Sequence, residues 1–328
     1  MEIITSRHNQ AVKKVRELKK RAARDMFGLA FVEGNRLVQE ALASHMDRSG
    51  VEGKADIDGQ GSANPNLKRV AIQGIYVSET YYRGGRFGEI ESAARTGDIR
   101  IYALADNVFS TISDTEHPQG LLAVVDIVDY DLPELVCQGR GRNKILMIDR
   151  VADPGNAGAM IRTASAAAFS GVVLSKGCVD IYEPKTLRAA MGESLKIPII
   201  RGADLQDTIR KLHDLGFHIY ASGAFARQGA GDNADGVNAK GAVDYTGGVN
   251  AAGARDCFNC EISGGDVAIV IGSEANGIDP QVLAMCDGAL AIPMPGGAES
   301  LNAGVAAGIL IYELYRREQL LTTTETLE

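Results

Sequence analysis

The chain has 328 residues, which is enough for two domains of ordinary size. Hydrophobic residues make up 45% of it and charged residues 23%, which excludes a wholly disordered chain and a fibrous repeat. No apolar run reaches the roughly 18 residues that span a bilayer, and the strongly charged first residues do not resemble a secretory signal. We therefore expect a cytoplasmic protein without a membrane-spanning segment.

The net charge of −8 is unevenly distributed along the chain. Residues 1–24 hold eight Lys/Arg against two Asp/Glu, and residues 140–201 hold ten against five. Two basic segments in an acidic chain favour a face that binds a polyanion such as nucleic acid. Solvated helix surfaces explain the same counts equally well, so charge alone leaves both interpretations open.

The five cysteines are scattered and odd in number, which is not the pattern of a disulfide framework. Only Cys257 and Cys260 have the C-x-x-C spacing, and no second pair completes a four-ligand zinc site. No strand is predicted before them, as a redox dithiol would need. We expect reduced thiols at the end of a loop and no metal, with a redox or metal role as the less favoured alternative.

The first half of the chain predicts a basic helix followed by a small α/β domain. Apolar residues at 11–22 share one helical face, with basic residues around it at Lys13, Lys14, Lys19, Lys20 and Arg24. Strands are predicted at 31–34, 72–77, 99–103 and 121–126, and helices at 35–43 and 89–95. Residues 49–66 lack periodicity and predict a mobile loop. The predicted domain covers residues 1–128, and 129–142 form a linker.

The second half, 143–328, alternates strands with helices. Strands are predicted at 145–148, 171–174, 197–200, 218–221, 267–271 and 289–292, and helices at 158–168, 184–191, 205–215 and 301–318. Such alternation implies a parallel sheet with right-handed crossovers. Residues 225–265 are rich in Gly, Ala and Asn and bury little, so we expect a flexible insertion there.

Three predicted strand ends in the second half carry unusual residues, and ligands of open parallel sheets bind beyond such ends. After the first strand, Pro154 and Gly155 predict a turn, Asn156 is expected to cap the next helix, and Arg162 lies on that helix. A capped helix with a surface arginine explains this run without a ligand. A Rossmann dinucleotide loop fits poorly, because one glycine of its fingerprint is missing.

The other two strand ends are rich in glycine and polar residues. One strand ends in Gly272, where backbone can approach a ligand closely, and Glu274 follows in a tight loop closed by Gly277. A surface turn explains these glycines but not Glu274. The last strand leads through an irregular Pro- and Gly-rich loop to Ser300 or Asn302 at the start of the final helix, whose residues 303–308 are nearly all small.

Together and in this order, the three strand ends resemble the SpoU branch of the SPOUT RNA methyltransferases. These enzymes transfer methyl from S-adenosylmethionine to a ribose 2′-hydroxyl. Residues 143–318 resemble the catalytic domain, and 27–126 resemble the small substrate-binding domain, including the runs Phe31–Arg36 and His117–Gly120. The resemblance implies an α/β fold with a parallel-sheet trefoil-knot domain, a smaller N-terminal α/β domain, and a homodimer with the final helix in its interface.

The resemblance also implies the site residues. The catalytic set would be Asn156, Arg162, Glu274, Ser300 and Asn302. The cofactor S-adenosylmethionine would be held at Ser222, Gly272, Ile292, Met294 and Leu301, and no metal would be required. The chain departs from the family at Ala303 and Gly304, where Val and Ser are frequent, and in the insertion at 225–265.

The residues themselves suit methyl transfer, an in-line displacement in which alignment carries much of the rate. The three loops offer no histidine base, and the arginine proposed as base in the family keeps its proton at neutral pH. We therefore expect Arg162 to bind the adjoining phosphate or the developing oxyanion, with Glu274 holding the guanidinium by a two-point contact. Asn156, Ser300 and Asn302 would complete the hydrogen bonds of the loops.

The expected partner is RNA. A basic N-terminal helix would contribute salt-dependent contacts to phosphates, and an exposed ribose implies single-stranded or loop RNA. The resemblance is greatest to 23S ribosomal RNA methyltransferases, with transfer RNA as the second candidate. Two alternatives stay open: a non-catalytic RNA-binding protein, and a nucleotide-dependent dehydrogenase, which the incomplete glycine fingerprint disfavours.

Overall fold

A computed structural model describes residues 1–46, 66–136, 142–223, 254–296, 298 and 300–325. The predicted loop at 49–66, apart from its last residue, and most of the predicted insertion at 225–265 lie outside the described residues. The chain forms two compact units, one of Met1–Asp129 with Asp180–Pro198 and one of Tyr130–Val179 with Ile199–Glu328. Asp180–Pro198 thus groups with the N-terminal residues, although the sequence predicts one domain over 143–328.

The first unit is built on a mixed sheet. Its strands are β1 (Ile3–Ile4), β2 (Leu29–Glu33), β3 (Ile72–Ser78), β4 (Ile101–Leu104) and β5 (Leu121–Asp126). Their order is β1-β4-β3-β5-β2, in which β5 runs antiparallel to both of its neighbours. The strands predicted from alternation are confirmed, whereas β1 is too short to produce a periodic signal.

The second unit is built on a parallel sheet, as predicted. Its strands are β6 (Lys144–Asp149), β7 (Gly171–Ser175), β8 (Ile199–Ala203), β9 (His218–Gly223), β10 (Ala254–Asp256), β11 (Val267–Gly272) and β12 (Gly288–Ala291). Their order is β10-β12-β9-β11-β6-β7-β8. Gly272 lies opposite Asp149 and Ala291 lies opposite Gly223. The carboxyl ends of β6, β9, β11 and β12 therefore meet at one edge of the sheet.

Helices flank both sheets. They are α1 (Gln10–Glu17), α2 (Arg21–Phe27), α3 (Asn35–Met46), α4 (Glu79–Tyr82), α5 (Phe87–Thr96), α6 (Asp106–Ile112), α7 (Leu132–Leu135), α8 (Pro154–Ala166), α9 (Pro184–Ala189), α10 (Leu205–Asp214), α11 (Pro280–Leu283) and α12 (Ala303–Glu325). The one-turn helices α4, α7 and α11 escaped prediction because a single turn leaves no periodicity. Among the described residues, no helix has the length and apolar character needed to cross a bilayer.

The N-terminal basic arm is not the single helix that the sequence predicts. It breaks between α1 and α2, where the guanidinium of Arg24 donates to the carbonyl oxygens of Leu18 (2.8 Å) and Lys19 (3.1 Å). Arg24 is only 3% exposed and forms an ion pair of 2.6 Å with Asp180. The expectation of an exposed cation at this position is therefore wrong. Arg24 binds the carbonyl oxygens that follow α1 and neutralises a buried carboxylate.

The segment before the C-x-x-C pair also differs from prediction. A strand, β10, leads directly into Cys257 and pairs in parallel with β12. Three edge residues, Ala-Arg-Asp, carry no apolar alternation, which is why the strand was missed. Burial, followed by the charge of Asp256, raises the pKa of Cys257 to about 11. Arg317 on α12 donates to the carbonyl oxygens of Cys257 and Cys260. The pair is thus a turn held by α12, and both thiols are free.

Candidate active site

Asn156 lies in the first turn of α8. The sequence predicts it as the helix cap, but Asp153 is the N-cap and accepts a 2.8 Å hydrogen bond from the Asn156 backbone N–H. Asp is a strong N-cap, and Pro154 at the first helical position has the φ that a helix start needs. Because Asp153 caps the helix, the side chain of Asn156 is left for contacts with other loops.

The loop after β11 folds back tightly on its own strand. The backbones of Ser273 and Gly277 exchange hydrogen bonds of 3.2 and 2.9 Å. Gly277 has a φ of +62°, in the left-handed region that favours glycine. A Cβ on Gly272 would lie 2.6 Å from the Gly277 carbonyl oxygen. Only glycine therefore fits at 272, where these two stretches of backbone approach each other closely. The fold of the loop leaves Glu274 exposed at its tip.

Asn302 precedes the first residue of α12, as the sequence predicts for the start of that helix. Its side-chain oxygen accepts from the Val305 backbone N–H at 3.2 Å, and its side-chain amide donates to Asn156 Oδ1 at 2.9 Å. The absence of a side chain at Gly304 allows this contact, since a Cβ there would lie 3.2 to 3.3 Å from the side-chain oxygens of both asparagines.

A continuous hydrogen-bond chain joins these three elements. Asn302 donates to Asn156, and Asn156 donates through Nδ2 to the carboxylate of Glu274. The oxygen of the Asn156 amide therefore faces Asn302 and its nitrogen faces Glu274, so the orientation of this amide is determined by its two partners. The predicted convergence of three separate strand-to-loop junctions is confirmed for these three residues, which we call the amide chain.

Arg162 and Ser300 lie outside the amide chain. Arg162 is exposed on α8 and makes no hydrogen bond or ion pair among the described residues. Six residues of helix separate it from Asn156 by about 9 Å along the axis and about 120° around it. The predicted two-point contact between Arg162 and Glu274 is not present; Glu274 contacts Asn156 instead. Ser300 is exposed, two residues before Asn302.

A second polar cluster at the same sheet edge was not singled out from the sequence. Asp149, only 2% exposed at the end of β6, accepts hydrogen bonds from the Asp279 backbone N–H (2.8 Å) and the Ser175 hydroxyl (3.1 Å). Arg150 pairs with Asp149 at 3.0 Å and adopts a φ of +55°, which is uncommon outside glycine. This cluster ties the loop after β11 to β6. The sequence feature that indicates this cluster is the charged pair Asp149 and Arg150 at the end of a buried apolar strand.

The predicted cofactor positions follow the strand ends at this edge. Ser222 is half-buried near the end of β9, Gly272 ends β11, and Ile292 and Met294 are half-buried just after β12. Among the described residues, the backbone N–H and C=O groups of Ile292, Met294 and Leu301 have no hydrogen-bond partner. Ile292 and Met294 are half-buried, whereas Leu301 is exposed, and backbone groups without protein partners at a strand end are open to a polar ligand. These backbone donors and acceptors therefore fit the polar groups of a nucleoside.

The first unit carries the expected positive charge on α1 and the turn after it. Lys13, Lys14, Arg16 and Lys20 are exposed and form no ion pair among the described residues. Lys19 instead donates to the Ser113 carbonyl oxygen, and Arg24 is buried. The cationic surface is thus smaller than the sequence predicts, but it remains.

Comparison with known proteins identifies the family. A model of the SpoU rRNA Methylase family matches residues 143–312. A model of the MRM3-like substrate binding domain matches residues 9–80, and one described as RNA 2′-O ribose methyltransferase substrate binding matches residues 66–131. The 23S rRNA (guanosine(2553)-2′-O)-methyltransferase RlmP of Bacillus subtilis is 32% identical over 314 residues, 96% of this chain and 99% of that protein.

Solved structures share the fold. An AdoMet-bound rRNA methyltransferase from Sinorhizobium meliloti is 24% identical, with a TM-score of 0.71 over 96% of this chain and 97% of that one. The SpoU methyltransferase AviRb from Streptomyces viridochromogenes, in complex with AdoMet, is 21% identical, with a TM-score of 0.70 over 94% and 98%. The predicted fold class, a parallel-sheet SPOUT domain with a smaller N-terminal α/β domain, is confirmed. The family match to more than half of the chain, and the full-length relative, show that the chain belongs to the SpoU rRNA methylase family.

Proposed function

We propose that this protein is an S-adenosylmethionine-dependent RNA methyltransferase that methylates a ribose 2′-hydroxyl of 23S rRNA. The observation that carries the proposal is the amide chain, which joins the three strand-to-loop junctions in a member of the SpoU family. The relative that is similar over its full length is named for this reaction on 23S rRNA. Action on ribosomal RNA is consistent with a cytoplasmic enzyme.

The cofactor site that we propose is formed by the strand ends of the second unit. Its residues are Ser222, Gly272, Ile292, Met294 and Leu301. When bound, S-adenosylmethionine supplies an electrophilic methyl group on a sulfonium. The backbone groups at 292, 294 and 301, which have no partner in the described ranges, would donate to and accept from a nucleoside. Asp149 keeps the neighbouring loop in place, since it holds the Asp279 backbone.

In the proposed site, Arg162 binds the phosphate beside the target ribose or stabilises the oxyanion that forms as the hydroxyl attacks. A guanidinium suits this role because it stays charged and binds phosphate oxygens in pairs. Its exposure and its lack of partners within the part of the chain that the structure describes leave it available. Asn156, Glu274 and Asn302 hold the three loops in register, and Ser300 adds a hydroxyl at the entrance to α12. Rigid alignment of this kind is what an in-line transfer needs.

The first unit would bind the RNA. The exposed cations Lys13, Lys14, Arg16 and Lys20 would contact phosphates, which contributes affinity but little sequence information. Two substrate-binding family models match this part of the chain. Transfer RNA is the second candidate substrate, because other relatives are named as tRNA/rRNA methyltransferases.

We also propose that the protein acts as a homodimer through α12. Val305 and Tyr312 on this helix are 52% and 49% exposed, and Phe258, which lines a shallow recess together with Tyr312, is 46% exposed. Large apolar side chains clustered at the surface are typical of an interface with another chain. A second copy of this chain is the occupant that the family resemblance implies.

The decisive experiment mixes the purified protein with methyl-labelled S-adenosylmethionine and unmodified 23S rRNA, with bulk tRNA in a parallel reaction. We expect label on a single ribose of the 23S rRNA, mapped as a backbone position resistant to alkaline cleavage. Label only in the tRNA reaction would favour the second substrate. If calorimetry at high protein concentration detects no cofactor binding, the proposed activity is wrong.

A further inference from the structure

The first unit contains an open recess of about 680 Å³ that none of the site residues above lines. The volume lies within the range of about 300–1,000 Å³ that is usual for small-molecule and nucleotide sites. The residues that matter for its chemistry are Asn35, Tyr81, Arg86, Asp106 and Gln119. Two of them belong to the runs Phe31–Arg36 and His117–Gly120, which the proposed activity does not otherwise use.

The recess is built where these two runs meet. The backbone N–H and the side-chain amide of Asn35 both donate to Gln119 Oε1, at 2.9 Å each. The Tyr81 hydroxyl donates to Asn35 Oδ1 at 2.7 Å. Gly34, with a φ of +96°, lets the chain approach Gln119, since a Cβ there would lie 3.3 Å from Oε1. The local structure thus holds the side chain of Gln119 in one orientation.

This orientation leaves a defined set of groups for a ligand. Because Gln119 Oε1 accepts two hydrogen bonds, its Nε2 carries the two free N–H donors, which have no partner among the described residues. Asp106 accepts from the backbone N–H and hydroxyl of Thr80, at 3.0 and 2.7 Å. Arg86 is exposed and makes no ion pair within the described ranges. An amide donor, an aromatic ring and a free guanidinium thus line one recess.

These groups match a single unstacked nucleotide. Proteins bind unpaired RNA by placing bases against aromatic or guanidinium planes and by hydrogen-bonding their edges. Base carbonyl oxygens accept from an amide N–H₂, and a phosphate pairs with a guanidinium. A purely apolar ligand would leave the Gln119 donors unsatisfied, which costs binding energy. The carboxylate of Asp106 disfavours a compound with several phosphates.

We propose that this recess binds one unpaired nucleotide of the RNA substrate away from the methylated ribose, with Gln119 Nε2 donating to the base and Arg86 contacting the phosphate. The inference rests on the proposed RNA methyltransferase function and adds a position at which that RNA is read. It makes Gln119 and Arg86 specificity residues that do not touch the reacting atoms.

The test uses the full-length chain with the variants Gln119→Glu and Arg86→Ala. Gln119→Glu keeps an oxygen for Asn35 but removes both free donors. Gln39→Glu is its control, because it adds the same charge at an exposed position on α3. Arg95→Ala is the control for Arg86→Ala, because Arg95 is exposed on α5 and pairs with Glu91. Thermal melting checks that every variant is folded.

The readout is methyl transfer to unmodified 23S rRNA over a range of RNA and salt concentrations. We expect Gln119→Glu to raise KM for RNA by about tenfold. This is the effect of losing about one hydrogen bond and leaving the acceptor on the base unpaired. Arg86→Ala should lower the slope of log affinity against log salt by about one. The value of kcat and cofactor affinity should match those of the wild type, and both controls should behave as wild type. An unchanged KM in Gln119→Glu would overturn the proposal.

A second measurement keeps the two proposals separate. The chain is irradiated with 23S rRNA fragments that contain 4-thiouridine, and the cross-linked peptides are identified by mass spectrometry. Cross-links on peptides containing residues 78–87 or 117–120 support the recess, and cross-links confined to other peptides overturn it. A wild-type protein that transfers no methyl but cross-links here would contradict the proposed activity and leave the recess in place.

Discussion

The side-chain amide of Asn156 donates to the carboxylate of Glu274 across a sequence separation of 118 residues. The contact joins the first turn of α8 to the loop after β11, and Asn302 extends it to the start of α12. Its geometry assigns a separate role to each end of the Asn156 amide, and this assignment can be tested by exchanging the nitrogen for oxygen.

Asn156→Asp replaces the donor with a carboxylate beside Glu274. We expect kcat for methyl transfer to fall about 100-fold, the usual cost of misplacing a reacting group by about 1 Å. The free energy of unfolding should change by less than about 1 kcal/mol, because the pair is exposed and screened by solvent. Asn276→Asp adds the same charge to the same loop and should retain activity. Equal losses in both variants would contradict the role of the amide.

Arg162→Ala should reduce kcat by about 100- to 1,000-fold, the range for loss of one preorganised group that stabilises charge in a transition state. Because Arg162 makes no contact among the described residues, its loss should leave the melting temperature and cofactor affinity unchanged. Arg210→Ala, which removes a 61% exposed arginine of the same unit, is the matched control. Full activity in Arg162→Ala would show that the site is assigned incorrectly.

Gly272→Ala should destabilise the second unit. The added Cβ would lie 2.6 Å from the carbonyl oxygen of Gly277, so backbone must move. Overpacking of this kind costs about 1–3 kcal/mol in the free energy of unfolding, measurable by urea denaturation. Gly265→Ala is the control, since a Cβ there meets no atom closer than 3.7 Å. Equal stability of the two variants would contradict the close approach of the Gly272 and Gly277 backbones in this loop.

Arg24→Met should destabilise the first unit more than any surface change. It leaves Asp180 buried without its 2.6 Å partner and frees the carbonyl oxygens of Leu18 and Lys19. Breaking one side of a buried ion pair costs about 3–5 kcal/mol, which chemical denaturation can measure. Arg21→Ala removes a 64% exposed arginine one turn earlier and should cost less than about 1 kcal/mol. Similar losses in both would show that Arg24 is not the buried partner.

Tyr312→Glu should convert the proposed homodimer into monomers. Tyr312 packs edge-on against Tyr315 with ring centroids 6.0 Å apart and leaves about half of its surface exposed, 49%. A charge in the centre of an apolar interface is strongly unfavourable. Sedimentation velocity should show a dimer for the wild type and a monomer for the variant. A monomeric wild type at all concentrations would remove the dimer proposal and leave the amide chain unaffected.

The amide chain shows how far the sequence could lead. Asn156, Glu274 and Asn302 each follow a strand of one parallel sheet, so their convergence follows from the pattern of strands. The partner of Glu274 did not follow, because Arg162 carries the more obvious charge. Helical geometry already argues against that pairing, since Arg162 points about 120° away from Asn156. Opposite charges suggest an ion pair between Arg162 and Glu274. The angular position of Arg162 around the axis of α8 decides whether the two side chains can make contact.

Other features could not be predicted, for identifiable reasons. Arg24 is separated from Asp180 by 156 residues, so the neighbouring sequence does not indicate that Arg24 is buried. The basic residues around Arg24 in the sequence are exposed, which favours the wrong prediction. The strands β1 and β10 are too short for an alternating pattern. The contact between Asn35 and Gln119 depends on glycine conformations at 34 and 120, which the sequence permits but does not require.

The chain passes between its two units three times, because Asp180–Pro198 returns to the N-terminal residues. Cutting a single peptide bond near residue 130 would therefore not release a complete first unit. A truncated protein that begins after residue 129 would keep Asp180 without Arg24 and Lys196 without Glu40. It would also lose the N-terminal residues of the unit in which Ile181 and Leu187 are buried. Attempts to express the catalytic half by itself should yield aggregates, and limited proteolysis should leave the two halves attached to each other.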